Sequence, residues 1–311
     1  MQTLLIVLAA LLLDRLLGEP RRWHPLVGFG QLAIRLERRL NQGDSASVRR
    51  GALAWLVLVL PPVALVGWLA SLPGLAPWLS LLLLWLALGG QSLREHGLRV
   101  AHALQHSGLE QARHEVAMLV SRDTATMDAP AIARATTESM LENGNDAIFA
   151  TLFWFALLGA PGVVLYRLVN TLDAMWGYRT PRYLAFGRVA ARADDLLNLV
   201  PARLTALSYA LLGNTAQALR CWREQARHCD SPNGGPVMAS GAGAIGYQLG
   251  GPAYYHGALR QRPWLGLGKP ADAQAIHQAL ALIQRSVVLW LLLAGGWLLV
   301  SSLALNRGQL I

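Results

Sequence analysis

The sequence predicts an all-α, polytopic integral membrane protein, with about four to six membrane-embedded helices joined by amphipathic connecting helices in a single domain over residues 1–311. Three observations carry this expectation. Of the 311 residues 54% are hydrophobic and only 14% charged, whereas soluble domains run to about a quarter charged. Apolar blocks fall at 3–13, 51–72, 75–90, 147–169, 202–212 and 287–305, and two of them, 51–72 and 287–305, approach or reach the ~20 residues a helix needs to cross ~30 Å of hydrocarbon. No convincing run of strands interrupts them, nor any internal repeat, low-complexity tract or long polar linker.

The elements follow in chain order. Residues 3–13 have no basic residue in front, and Asp14-Arg15 follows where a secretory leader would carry a small-residue cleavage site, so the block reads as a short or tilted membrane helix. The block at 75–90 follows Pro73-Gly74 directly, and with 51–72 it reads as a helical hairpin whose turn barely leaves the membrane. Over 91–146 the spacing of Leu93, Leu98, Ala101 and Leu104, then of Leu109 to Leu119, predicts paired amphipathic helices. Ser121-Arg122-Asp123-Thr124 interrupts them. Asp128-Ala129-Pro130 restarts a helix, with Asp as cap and Pro in the first turn. The block at 147–169 is broken by Gly159-Ala160-Pro161-Gly162, which leaves two readings open, a crossing or a re-entrant element that returns to the side it left.

Charge sets the expected orientation, because Arg and Lys are retained on the cytoplasmic side. Residues 14–50 hold eight Arg and 91–146 five, while the turn at 73–77 holds none, so the first two face the cytoplasm. Residues 170–286 hold twelve Arg and Lys and call for the same side. The formal net charge is +9 and 26 of the 27 basic residues are Arg, which suits anionic lipid and anionic ligands. That charge is spread through membrane-flanking loops and not gathered in one stripe, so nucleic-acid binding is set aside. Cys221 and Cys229 lack redox or zinc spacing and read as reduced, incidental thiols.

Three constellations carry chemistry. In Glu138-Ser-Met-Leu-Glu142-Asn143-Gly-Asn145-Asp146 the carboxylates recur one helical turn apart. They can form a solvated acidic face, or a hard oxygen set for Mg²⁺ beside a membrane entry point. The second runs from Asn170-Thr-Leu-Asp173 through Tyr178, Arg179 and Arg182 to Arg192, Asp194-Asp195, Asn198 and Arg203. Its carboxylates suit a divalent metal and its arginines suit phosphate or carboxylate, but interfacial Arg–Asp pairs with aromatic anchors account for it equally well. In the third, Asp230-Ser231-Pro232-Asn233-Gly234-Gly235-Pro236, the residues are turn formers, and such a loop can also offer backbone N–H groups to phosphate. Gly241-x-Gly243-x-x-Gly246 matches a dinucleotide fingerprint in letters only, since no strand is expected before it, and close helix packing fits better. Gly266-Leu-Gly268-Lys269 lacks Walker spacing, and His102 and His106 have no third ligand and read as surface residues.

At these constellations the sequence resembles the CobD/CbiB family of cobalamin biosynthesis, the adenosylcobinamide-phosphate synthases. The resemblance starts at Leu13-Asp14-Arg15-Leu-Leu-Gly18-Glu19-Pro20-Arg21-Arg22-Trp-His24-Pro25 and runs through Ser121-Arg122-Asp123-Thr124, Glu138-Ser139, Glu142-Asn143 and Asp146. It continues with Asn170-Thr171-Leu172-Asp173, Gly177-Tyr178, Arg182-Tyr183, Ala191-Arg192-Ala-Asp194-Asp195 and Pro201-Ala202-Arg203-Leu204-Thr205. Asp230-Ser231-Pro232-Asn233 and Gly250-Gly251-Pro252 close it. It implies an enzyme of the bacterial inner membrane, its site facing the cytoplasm, that uses ATP and Mg²⁺ to join adenosylcobyric acid to aminopropanol phosphate or aminopropanol. Glu138, Glu142, Asp146, Asp194 and Asp195 are then metal candidates. Arg182, Arg192 and Arg203 are clamps, with Asp173 or Asp230 as base. Arg122, Asp123, Asn143, Asn170, Tyr178, Ser231 and Asn233 are candidates for ATP and substrate binding. The lipid bilayer is an expected partner. A homo-oligomer, or association with other membrane enzymes of the pathway, stays open. Two rival readings are a non-catalytic membrane sensor of the AmpE type and a transporter, the latter disfavoured because no inverted halves are found.

Overall fold

The computed structural model describes residues 1–20, 24–43, 47–255 and 257–308, the last six as backbone only. Arg21 and Arg22 of the amino-terminal motif lie outside the described residues. The chain forms α1 (Gln2–Leu17), α2 (Pro25–Leu40), α3 (Ser47–Ala70), α4 (Ala76–Ala87), α5 (Gly90–His102), α6 (Leu109–Ala117), α7 (Ala129–Gly144), α8 (Ala150–Trp176), α9 (Arg188–Leu212), α10 (Thr215–Gln225), α11 (Gly234–Ile245) and α12 (Ala273–Gly308). π-helical turns occupy Ala103–Ser107 and Asn145–Phe149. Among the described residues four helical stretches are long and apolar enough to cross a membrane: Ser47–Ala70, Ala76–Ser107, Ala129–Trp176 and Ala273–Ser302. This is the helical polytopic architecture the apolar blocks call for.

Among the described residues five short strands lie between α11 and α12: β1 (Tyr247–Gly250), β2 (Ala253–Tyr255), β3 (Ala258–Arg260), β4 (Trp264–Leu265) and β5 (Lys269–Pro270). β1 pairs antiparallel with β4 and parallel with β5, while β2 and β3 make a separate hairpin. At two to four residues each, they are too short to leave an alternating pattern in the sequence.

The chain packs as two compact units, neither continuous in sequence. One comprises Met1–Leu5, Leu93–Asn145 and Ala202–Ile311, and the other Ile6–Ser92 and Asp146–Pro201. In the first, α7 begins as the sequence predicts: Asp128 Oδ1 accepts a hydrogen bond from the Ala131 N–H at 2.8 Å, and Pro130 occupies the first turn. α11 is buried from Gly234 to Ala244. Its small residues permit that closeness, because a Cβ on Gly241 or Gly243 would press on Leu141 and Ala218, so the glycine spacing serves helix packing.

In the second unit α3 and α4 form the expected helical hairpin, and α2, α3 and α8 share a core in which Trp176 and Phe186 meet edge to face at 5.0 Å. α8 contains a sharp reversal. Gly159 takes φ 63° and ψ −147°, a backbone region open almost only to glycine, and a Cβ on Gly162 would overlap the Trp154 carbonyl oxygen. The Tyr166 hydroxyl lies 3.5 Å from Asp146 Oδ1, whereas a straight helix would hold residues twenty positions apart ~30 Å from each other. Residues 146–158 and 160–176 are therefore the two arms of a helical hairpin. The return arm brings Asn170 and Asp173 back to the end where Asp146 stands.

Candidate active site

The carboxylates of the Glu138–Asp146 stretch go to different surroundings. A π-helical turn, Asn145–Phe149, follows α7 and contains Asp146. Asp146 then belongs to the α8 hairpin. In α8 and α9 the spacing of Tyr166, Asn170 and Asp173 and that of Asp194 and Asn198 place each set on one helical face. Asn170 Nδ2 donates to Asp194 Oδ1 at 3.2 Å, and Asn198 Nδ2 donates to Asp194 Oδ2 at 3.0 Å. Tyr166 in turn donates to Asn198 Oδ1 at 3.2 Å. Burial and then the charge of Asp146 push the Asp194 carboxyl up to about 7, and the two asparagines offset this only in part. Burial also raises Asp195, against the pull of Arg179. Asp194 and Asp195 both act as like charges on Asp173.

This set offers carboxylate, amide and phenol oxygens but no thiol or imidazole. Among the described residues no three of His, Cys, Asp and Glu converge as a ready ligand cage. That disfavours a zinc-type site. It fits Mg²⁺, which usually takes one or two carboxylates and completes its shell with water and substrate phosphate.

The other unit holds the second group. Glu138 is buried, and its Oε1 accepts from the Gly250 N–H at 2.8 Å while Oε2 lies 2.9 Å from both Arg122 Nη2 and Arg262 Nη1. Asp123 accepts from the Gly257 N–H at 2.7 Å and donates its own N–H to Tyr254 at 2.9 Å, so it ties down the β2–β3 hairpin. Asn143 donates to Ser139 one turn back, at 2.9 Å. Glu142 Oε1 reaches the start of α11, where any side chain on Gly234 would overlap it, and a carboxylate there is favoured by the helix dipole. Ser231 Oγ accepts from the Gly234 N–H at 2.9 Å, and Arg203 donates to Asn233 Oδ1 and to the Pro232 carbonyl. The 230–236 segment is thus a held turn, with Asp230 exposed.

The remaining expected residues lie in the hairpin's unit. Arg182 makes a bidentate pair with buried Glu37, Nε to Oε1 at 3.0 Å and Nη2 to Oε2 at 2.6 Å. Burial pushes the Glu37 carboxyl up, but Arg182 and Asn41 hold it below the usual carboxylate range. Tyr178 and Arg192 are exposed. Sequence reasoning gave no role to Tyr166, Glu37 or Arg262, and named Asn198 within the second constellation without one. Asn198 had a usable signal in its spacing of four from Asp194, whereas Arg262 sits in irregular chain with no periodicity to expose it. His102 and His106 are exposed as expected, and both cysteines are free, with burial pushing the Cys229 thiol up to about 11.

Fold and site together define a polytopic helical membrane protein that gathers half-buried carboxylates with amides at the open end of a helical hairpin. The CobD/Cbib protein family model matches residues 7–283, and the chain belongs to that family. It is 58% identical over 302 residues to the cobalamin biosynthesis protein CobD of Stutzerimonas stutzeri (strain A1501), covering 96% of this chain and 99% of the relative. It is 53% identical over 296 residues to the protein of that name from Chromobacterium violaceum, covering 93% and 95%. To that of Mycobacterium tuberculosis (strain H37Rv) it is 40% identical over 288 residues, covering 89% and 90%. No solved structure matches the chain.

Proposed function

We propose that the chain acts in cobalamin biosynthesis as an ATP-dependent acid–amine ligase, joining the free propionate of adenosylcobyric acid to aminopropanol phosphate or aminopropanol. Membership of the family and the names of its relatives support the pathway. The observation that carries the catalytic reading is Asp194, whose two oxygens are held by neutral amides while the charges acting on it, Asp146 and Asp195, are both negative. An enzyme handling a metal–nucleotide complex has a use for such a site.

A carboxylate oxygen is a poor leaving group. It therefore attacks a phosphorus of ATP, releasing ADP or pyrophosphate, and the amine nitrogen then attacks the acyl carbon. Phosphate or AMP leaves, and the ammonium proton passes to a base, for which Asp173 and Asp230 are candidates. Asp146 and Asp194, with Asp195 beside them, would hold Mg²⁺, which neutralises phosphate charge on the nucleotide. Glu138 is left out of that set because Arg122, Arg262 and Gly250 already engage its oxygens. Arg122 and Arg182, each paired with a buried carboxylate, fix structure in this reading; Arg192, and Arg203 whose charge meets only the neutral oxygens of Asn233 and Pro232, are left as clamps. In this reading the return of α8 keeps Asp146 and residues 177–187 on one side of the bilayer, and Arg179 and Arg182 there support an inner-membrane enzyme whose site faces the cytoplasm.

The test is synthesis by the purified full chain, in detergent or liposomes, from adenosylcobyric acid, aminopropanol phosphate, Mg²⁺ and ATP. Product that depends on ATP supports the ligase. No product from folded protein, with aminopropanol also tried, moves the reading to a non-catalytic sensor of the AmpE type.

A further inference from the structure

A cleft of about 680 Å³ opens in the unit that contains α10 and α11, lined by Arg203, Trp222, Arg223, Arg227, Asp230 and Pro232 among others. Its charge is lopsided, three guanidiniums against the one carboxylate of Asp230. The helical repeat produces this, since Leu219, Trp222 and Arg223 share one face of α10 and Ala226 follows at its end, while Arg220 and Glu224 pair with each other at 3.3 Å on another face. Arg227 follows in the next turn, and its Nε donates to His228 at 3.2 Å.

The plainer account of Arg223 and Arg227 is that cations complement the carboxyl end of α10, an effect of about 0.3–1 kcal/mol. It explains neither the cavity nor the half-buried indole that lines it. Guanidiniums recognise phosphate in planar, two-pronged fashion, a concave basic wall concentrates anions, and an indole face stacks on a heterocycle. The volume lies within the range of sites for ligands of drug or cofactor size, and a short phosphorylated amino alcohol would leave most of it empty.

We propose that this cleft is the chain's nucleotide site. It takes a nucleoside triphosphate with the phosphates on Arg203, Arg223 and Arg227 and the base against Trp222. The proposal rests on the ATP-dependent reading above and adds where the nucleotide goes. The phosphate chemistry alone would also suit an anionic lipid headgroup, and the indole separates the two.

The experiment is equilibrium binding of ATP, and separately of inorganic tripolyphosphate, to the full chain in detergent, for the parent, Arg223→Gln/Arg227→Gln, Trp222→Ala and the control Arg220→Gln. Thermal unfolding accompanies each variant to show that it is folded. The double arginine variant should lose at least tenfold in affinity for both ligands. Trp222→Ala should lose affinity for ATP while keeping tripolyphosphate, and Arg220→Gln should match the parent. Parental ATP affinity in the folded arginine and tryptophan variants overturns the nucleotide site and leaves the ligase reading intact. A parent chain that binds tripolyphosphate and anionic-lipid vesicles but not ATP overturns both, and assigns the cleft to lipid headgroups.

Discussion

Tyr166 and Asp146, twenty residues apart in the chain, meet at 3.5 Å because the helix between them reverses at Gly159. The same reversal brings Asn170 to Asp194 and lets one patch draw on both arms of the hairpin and on α9.

If that patch holds the metal, converting its carboxylates to amides removes charge and leaves shape. Asp194→Asn and Asp146→Asn should lower turnover by roughly 10²–10³-fold, the cost of removing one preorganised electrostatic contact of about 3–4 kcal/mol. Asp195→Asn should follow in the same direction. Initial rates measured against Mg²⁺ concentration check this, and parental rates in all three would remove the metal from this patch.

The elevated Asp194 sets a pH dependence whose sign is fixed. Its folded value, about 7, lies above the 3.8 of an ordinary aspartate, so the folded state holds the proton more tightly. Its contribution to stability is complete below about 3.8 and is lost as pH rises through about 7. Without Mg²⁺, the melting temperature should therefore fall between pH 5 and 8 more steeply in the parent than in Asp194→Asn. Mg²⁺ competes with that proton, so the concentration needed for half-saturation should drop over the same interval.

Glu138 should behave as a structural residue. Arg122→Met leaves a buried carboxylate with half of its guanidinium support, and removing one partner of such a pair costs about 3–5 kcal/mol. Unfolding in detergent should show that loss. In Glu138→Gln, activity per folded molecule should stay within a few-fold of the parent; a hundredfold loss in a folded variant would return Glu138 to the catalytic set.

The reversal of α8 also makes a topological prediction. On a background lacking Cys221 and Cys229, the single reporters Met118→Cys and Tyr178→Cys, both at exposed positions, should react with a membrane-impermeant maleimide from the same face of oriented vesicles. Labelling from opposite faces would mean that the stretch between them crosses.

Much of this was legible locally. The apolar blocks marked α3, α4, α8 and α12, Asp128-Ala-Pro marked the start of α7, and Gly159-Ala-Pro-Gly marked a break while leaving crossing and return both open, because each depends on neighbours within a few residues. Glu138 finds Arg262 and Glu37 finds Arg182 across more than a hundred residues, and no periodicity encodes such pairs. The π-helical turn at Asn145–Phe149 was equally hidden, because a pattern counted at 3.6 residues per turn does not show an extra residue in the repeat. The short strands of 247–270 owe their pairing to partners brought close by helices on either side, and not to their own composition.

The order of synthesis gives the hairpin a further consequence. Asn198 follows Asp146 by 52 residues, so at ~5–20 residues per second the first carboxylate of the patch waits about 3–10 s for its last amide neighbour to leave the ribosome. Early in that wait Asp146 stands at the entrance of a nascent apolar segment, before its neighbours from α8 and then from α9 are made. Whatever inserts this chain must tolerate an exposed acidic side chain at the membrane until the return arm and α9 have followed it in.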